Sequence, residues 1–234
     1  MNDVTEHPII FAGPLVRAIL DGSKTQTRRP IKPQPKASHL GYMACDDGSL
    51  LCGPDYPDCD DDVVRCPYGQ PGDRLWVRER FYIDDVRHLD TIPKERPADL
   101  HDGGLLYHAD ANGKEPACCH ILGECACGEV GKPRWRPSIH MPRWSSRITL
   151  EVTGVRVERL QDISEHDAEA EGATFRANED DSIREFARKR YGMPDRAVGP
   201  RECFSITWDR IYVPKGMGWY TNPWVWVVEF RKVE

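Results

Sequence analysis

The chain has 234 residues, with 39% hydrophobic and 30% charged residues and a formal net charge of −6. This composition is typical of a loop-rich globular protein and excludes a wholly disordered chain. The negative charge argues against a protein that coats duplex DNA, which needs a basic face to release counterions. No run is long and apolar enough to span a membrane, and residues 1–8 lack the regions of a signal peptide, so we expect a cytoplasmic protein without a membrane partner.

A short helix is predicted near the start of the chain. Pro14 suits the first turn of a helix, and Val16, Ile19 and Leu20 recur at helical spacing. Gly22 suits the C-terminal cap, so the helix should end just before the polar segment that follows.

That polar segment is the most informative part of the sequence. Lys24 and Thr27 are three residues apart and could contact one ligand, while Arg28 and Arg29 carry planar donors suited to phosphate or carboxylate. The alternative is a solvated basic loop, because lysine and arginine side chains are mostly exposed in proteins.

Strands are predicted where apolar residues alternate. Residues 75–79 follow a Gly-Asp turn and form one candidate. Ser146 to Val157 alternates with a break at Gly154, which indicates either one bent strand or a tight pair of strands. The aromatic and β-branched run Trp224 to Phe230 should be a central strand. We expect Ile148, Leu150, Val152, Val225, Val227 and Phe230 to face the core.

A second helix is predicted from Asp162 to Gly172, with Asp162 or Ser164 as its cap. Glu171 lies in its last turn, where a carboxylate faces the negative end of the helix dipole. It therefore needs a cation, and Lys24 is the partner we expect. Further helices are predicted at 182–191 and around Phe204 to Ile211.

Eight of the nine cysteines lie in two irregular stretches. Disulfides are disfavoured in a reducing compartment, so the choice lies between free thiols and a metal site. Cys118, His120, Cys125 and Cys127 could surround one structural zinc ion, although they lack the paired two-residue spacing of strong zinc motifs. An insertion with incidental thiols is the alternative.

Taken together, these segments resemble the ASCH family, whose members are small PUA-like proteins. The resemblance rests on Gly22-x-Lys24-Thr25-x-Thr27-x-Arg29, on Gly72-Asp73 before a strand, on the helix that ends at Gly172 and on the closing Val227 to Phe230 strand. It covers about half of the chain and is similar in its longer pattern to ASCH-like proteins of phages and prophages. It implies an α+β fold, a PUA-like mixed β-barrel with short flanking helices. The chain would then be one domain, 1–234, with long loop insertions at about 37–67, 84–137 and 176–202.

The resemblance also implies a function. In bacterial N(4)-acetylcytidine amidohydrolases of this family, a lysine, a threonine and a glutamate are catalytic, and they match Lys24, Thr27 and Glu171. Gly22 and Arg29 match as well, and with Arg28 they are candidate substrate-binding residues. No cofactor is then required for catalysis, and either Lys24 or Glu171 could be the base.

Other functions stay open at the level of sequence. One alternative is a non-catalytic RNA- or single-stranded-DNA-binding module that uses the same basic pocket, and another is a zinc-stapled protein-interaction module. Trp219 and Tyr220 lie near turns, where a ring could stack on a base, whereas core packing better explains Trp208, Trp224 and Trp226. The sequence does not indicate an oligomeric state.

Overall fold

The structure, a computed structural model, describes residues 4–34, 42–44, 49–52, 64–83, 94–96, 105–111, 135–172, 185, 188–189, 192 and 199–233. The fully described α-helices are α1 (Gly13–Leu20), α2 (Glu165–Ala170) and α3 (Pro200–Tyr212). The described strands are β1 (Glu6–Ile10), β2 (Gln26–Pro30), β3 (Tyr42–Ala44), β4 (Ser49–Cys52), β5 (Val64–Arg65), β6 (Arg74–Arg78), β7 (Phe81–Ile83), β8 (Leu105–Tyr107), β9 (Thr149–Arg159) and β10 (Trp224–Lys232).

The predicted α+β class is confirmed. Five strands form a mixed sheet in the order β1-β6-β9-β10-β2, in which β1 runs parallel to β6 and the other neighbours are antiparallel. Among the described strands no closed barrel is found, because β1 and β2 are the two edges of this sheet. The helix α1 connects these two edges along the chain.

Both faces of β10, an interior strand of the sheet, are buried. On one face, Trp226 and Val228 pack in a core that includes Val16 and Ile19 of α1. On the other face, Val225 and Val227 pack against α2 and α3. The six residues expected in the core are all buried, namely Ile148, Leu150, Val152, Val225, Val227 and Phe230. The sheet is therefore covered on both sides, with α1 opposite α2 and α3.

The break near Gly154 is a bulge within one long strand. Glu229 of β10 pairs with Gly154, but the next residue, Phe230, pairs with Val152. Thr153 is the extra residue, which bends β9 without dividing it. Of the two interpretations of this segment, the bent strand is the one observed.

Two stretches predicted as loops contain regular structure. Within 37–67, β3, β4 and β5 form a small antiparallel sheet, and within 84–137, β8 pairs with β7. These strands are only two to four residues long. Such short strands carry too little alternation to be recognised in the sequence, and their pairing with other segments decides their conformation.

Candidate functional site

The turn after α1 directs Lys24 towards the second helix. Gly22 has a φ of +80°, which an L-side chain rarely adopts, and its amide donates to the carbonyl of Ile19 at 3.2 Å. The amide of Lys24 then donates to the carbonyl of Ala18 at 2.9 Å. Gly22 thus shapes the turn, and Lys24 forms an isolated antiparallel bridge with Glu171.

Lys24 and Glu171 form a buried ion pair. Nζ of Lys24 lies 2.8 Å from Oε2 of Glu171, and the two residues are 2% and 5% exposed. Nζ also donates to the carbonyl oxygens of Glu171 at 2.8 Å and of Gln26 at 2.7 Å. An ammonium has three N–H bonds, so all of its donors are satisfied by protein oxygens. Burial lowers the pKa of Lys24, while the Glu171 carboxylate opposes that shift.

Glu171 is held by a second cation, Arg28. Nη1 of Arg28 lies 3.3 Å from Oε1 of Glu171, while Nη2 contacts Glu158 at 2.9 Å and Asp167 at 3.2 Å. The Arg28 side chain has no exposed surface. It is committed to three carboxylates, which favours a structural role over the predicted role in substrate binding.

Thr27 and Arg29 lie on the face of β2 opposite to that of Arg28, because successive strand residues alternate between faces. Thr27 is 1% exposed, and its Oγ1 accepts a 2.9 Å hydrogen bond from Nη1 of Arg29. Within the described part of the chain, Thr27 makes no hydrogen bond to Lys24 or Glu171. The predicted triad is therefore only partly assembled, with Lys24 and Glu171 in direct contact and Thr27 beside Arg29.

Phe11 connects the two halves of the site. Nζ of Lys24 lies 5.5 Å from the centre of the Phe11 ring, and the guanidinium of Arg29 lies 5.1 Å from it. Sequence reasoning missed Phe11, because an aromatic residue just after a strand is usually explained by core packing.

Arg29 is a cation without a carboxylate partner among the described residues. Its acceptors are neutral, namely Oγ1 of Thr27 and the carbonyl oxygens of Arg28 and Ile10. Tyr212, at the end of α3, is a second residue that the sequence did not indicate. Burial raises the pKa of its hydroxyl, and the nearby Arg29 opposes that shift. Arg29 is thus able to stabilise a negative charge beside the Thr27 hydroxyl.

The proposed zinc ligands Cys118, His120, Cys125 and Cys127 lie outside the described residues. In the described ranges, no three His, Cys, Asp or Glu side chains are grouped to hold a metal ion. Cys66, at the end of the first cysteine-rich stretch, is a buried free thiol. No helix in the described part of the chain has both the length and the apolar character needed to cross a membrane.

Comparisons of the chain with protein-family models, curated proteins and solved structures gave no match. The ASCH assignment made from the sequence therefore stays a prediction.

Proposed function

We propose that the chain recognises a modified pyrimidine nucleoside or nucleotide and hydrolyses the amide of N(4)-acylated cytidine. The observation that carries this proposal is the buried contact between Lys24 and Glu171. It joins the two distant segments that the resemblance to ASCH amidohydrolases identifies as catalytic. A buried ion pair in which the lysine pKa is lowered is a common feature of active sites.

A PUA-like barrel belongs to the same proposal. Nη2 of Arg29, on the edge strand β2, donates a 2.8 Å hydrogen bond to the carbonyl of Ile10 at the end of β1, the other edge strand. A side chain that reaches from one edge of a sheet to the other supports a strongly curled sheet. In this arrangement Arg29 would close the gap and also contact the substrate.

The chemistry requires a nucleophile, a base and a donor for the oxyanion. The proposed reaction needs a neutral Lys24 amine, which burial of Lys24 favours and the Glu171 carboxylate opposes; the proton lost by Lys24 passes to Oε2 of Glu171 across their 2.8 Å contact. Thr27 Oγ1 makes no hydrogen bond to Lys24 in this structure, so the step requires the hydroxyl to turn from Arg29 towards Lys24 Nζ when substrate binds. Oγ1 then attacks the acyl carbon as its proton passes to Lys24, and Arg29 donates to the oxyanion. The amide nitrogen leaves with that proton as cytidine, and water hydrolyses the acyl-threonine ester.

A second candidate function is nucleoside binding without hydrolysis. The specific observation in its favour is that Nζ of Lys24 already donates to three protein oxygens and does not contact Thr27. Arg29 and Thr27 would then bind a ligand oxygen, and the Lys24–Glu171 pair would only stabilise the fold.

A panel of N(4)-acylated cytidines separates the two candidates. We expect the wild-type protein to release cytidine, and Lys24→Ala to reduce the rate at least about a hundredfold, as for loss of a general acid or base. Lys232→Ala is the matched control, because Lys232 is an exposed lysine at the end of β10. A wild-type protein that binds cytidine through Arg29 but hydrolyses none of the panel would support the non-catalytic function instead.

A further inference from the structure

A cluster of stacked arginines and aromatic rings lies where β9 ends and β10 begins. The guanidinium of Arg159 lies 4.2 Å from the centre of the Trp224 ring. The guanidinium of Arg201 lies 5.2 Å from the centre of the Trp219 ring. We call Arg159, Arg201, Trp219, Tyr220 and Trp224 the aromatic-basic surface.

Hydrogen bonds join the two stacked pairs through Gln161 and Asn222. Nη2 of Arg201 donates to the carbonyl of Gln161 at 2.6 Å, and Nε2 of Gln161 donates to the carbonyl of Trp219 at 2.9 Å. The amide of Gln161 donates to Oδ1 of Asn222 at 2.8 Å, and Nη1 of Arg159 donates to the Asn222 carbonyl at 3.1 Å. The two stacked pairs are therefore linked by one hydrogen-bond network.

Tyr220 is the most exposed residue of this group. It is 79% exposed, although it lies in an ordered helical turn, Trp219–Thr221. Its ring has no aromatic or cationic neighbour within the part of the chain that the structure describes. Its ring is thus available for stacking on a flat ligand group.

Neither Arg159 nor Arg201 forms an ion pair with a carboxylate of the described residues. The nearby Glu165 is used differently, because its Oε2 accepts a 3.0 Å hydrogen bond from the backbone amide of Arg201 in the first turn of α3. Lys215, which lies over the Tyr212 ring at 4.9 Å, adds a third cation without an acidic partner in these ranges. Cations without a carboxylate partner in the described ranges can bind a ligand that carries negative charge.

We propose that the aromatic-basic surface binds single-stranded nucleic acid. The exposed Tyr220 ring stacks on an unpaired base, and the arginines, which form no ion pair with a described carboxylate, contact the phosphates. Duplex nucleic acid fits this surface poorly, because its bases are already stacked on each other. The proposal concerns a surface outside the Lys24–Thr27 site and does not depend on hydrolysis.

Fluorescence anisotropy with a labelled oligonucleotide of about 12 nucleotides tests this proposal. The full chain is titrated against single-stranded RNA, single-stranded DNA of the same sequence, and the corresponding duplex. We expect one or both single strands to bind more tightly than the duplex. Tyr220→Ala should weaken binding about tenfold, as expected for loss of one stacked base. Tyr220→Phe should bind like the wild type, because the ring is kept.

The charge contribution is tested with Arg159→Gln and Arg201→Gln. Each should weaken binding and reduce the dependence of log affinity on log salt by about 0.7, as for one phosphate contact on a single strand. Arg231→Gln is the matched control, since Arg231 is exposed and already paired with Glu151 at 2.9 Å. Equal affinity of wild type and Tyr220→Ala, or equally tight binding of the duplex, would overturn the proposal.

Discussion

Lys24 and Glu171 are 147 positions apart in the chain, yet Nζ of Lys24 lies 2.8 Å from Oε2 of Glu171 in a site closed to solvent. Their backbones also form an antiparallel bridge, which is supported by a 2.9 Å hydrogen bond from the amide of Thr25 to the carbonyl of Ala170. The pair therefore fixes the end of α2 to the segment that leads into β2. We therefore expect the contact to contribute to the stability of the fold.

Breaking this pair should destabilise the fold. Removal of one partner of a buried pair leaves an uncompensated charge, and we expect Lys24→Met to lower the free energy of unfolding by about 3 kcal/mol. Glu171→Gln should have a similar effect, and the double variant should cost clearly less than the sum of the two. Urea unfolding of all four proteins measures this coupling. Additive losses would show that the contact contributes no coupling energy.

Arg28 should be more important for stability than an exposed arginine. It contacts three carboxylates with no exposed side-chain surface, so Arg28→Met should lower the free energy of unfolding by about 3–5 kcal/mol. The matched variant Arg231→Met removes an exposed pair and should cost less than about 1 kcal/mol. Denaturant unfolding gives both values, and similar costs would contradict the structural role assigned to Arg28.

Gly172 should resist substitution for two reasons. Its φ is +75°, and an added Cβ would lie 3.1 Å from Cβ of Ala18. Gly216 provides the control, because its φ is +72° but an added Cβ would have no neighbour within 4 Å. We expect Gly216→Ala to cost about 1 kcal/mol through backbone strain alone, and Gly172→Ala to cost at least about 1 kcal/mol more. Equal melting temperatures of the two variants would rule out the steric contribution.

The buried thiols should make the protein less stable at alkaline pH. Burial raises the pKa of both Cys66 and Cys203 from 9.0 to about 11. Between pH 9 and 11 the thiols of the unfolded chain lose their protons while those of the folded chain keep them, which favours unfolding. The free energy of unfolding should therefore be unaffected by the thiols below pH 9 and should fall as the pH rises towards 11. Unfolding measured from pH 8 to 11 should show this loss, and a Cys66→Ala, Cys203→Ala variant should show a smaller one. An identical pH dependence of both proteins would exclude the thiols as its cause.

Local signals in the sequence predicted several elements correctly. Pro14 and Gly22 bracket the helix α1 because the first suits a helix start and the second adopts the left-handed conformation that ends it. Ser164 is one of the two proposed caps, and its Oγ accepts a 3.0 Å hydrogen bond from the backbone amide of Asp167. The unfavourable position of Glu171 at a helix end was also visible, and it correctly indicated Lys24 as the partner.

The tertiary structure decided how the polar segment is divided. Thr27, Arg28 and Arg29 are consecutive, so the sequence treats the two arginines as equivalent donors. The pairing of β2 with β10 places Arg28 opposite Val227 and Arg29 opposite Trp226, on different faces of the sheet. Arg28 therefore meets the acids beside α2, whereas Arg29 meets Phe11 and Thr27.

The sequence by itself determined the elements whose signals lie within a few residues, such as caps, periodicity and the charge at a helix end. Only the tertiary structure decided which charges are neutralised, because that depends on strand register and on contacts between distant segments. Arg28 acquires three carboxylate partners from residues 130 to 143 positions away. No local pattern encodes such distances, and a shift of one residue in register would exchange the environments of Arg28 and Arg29.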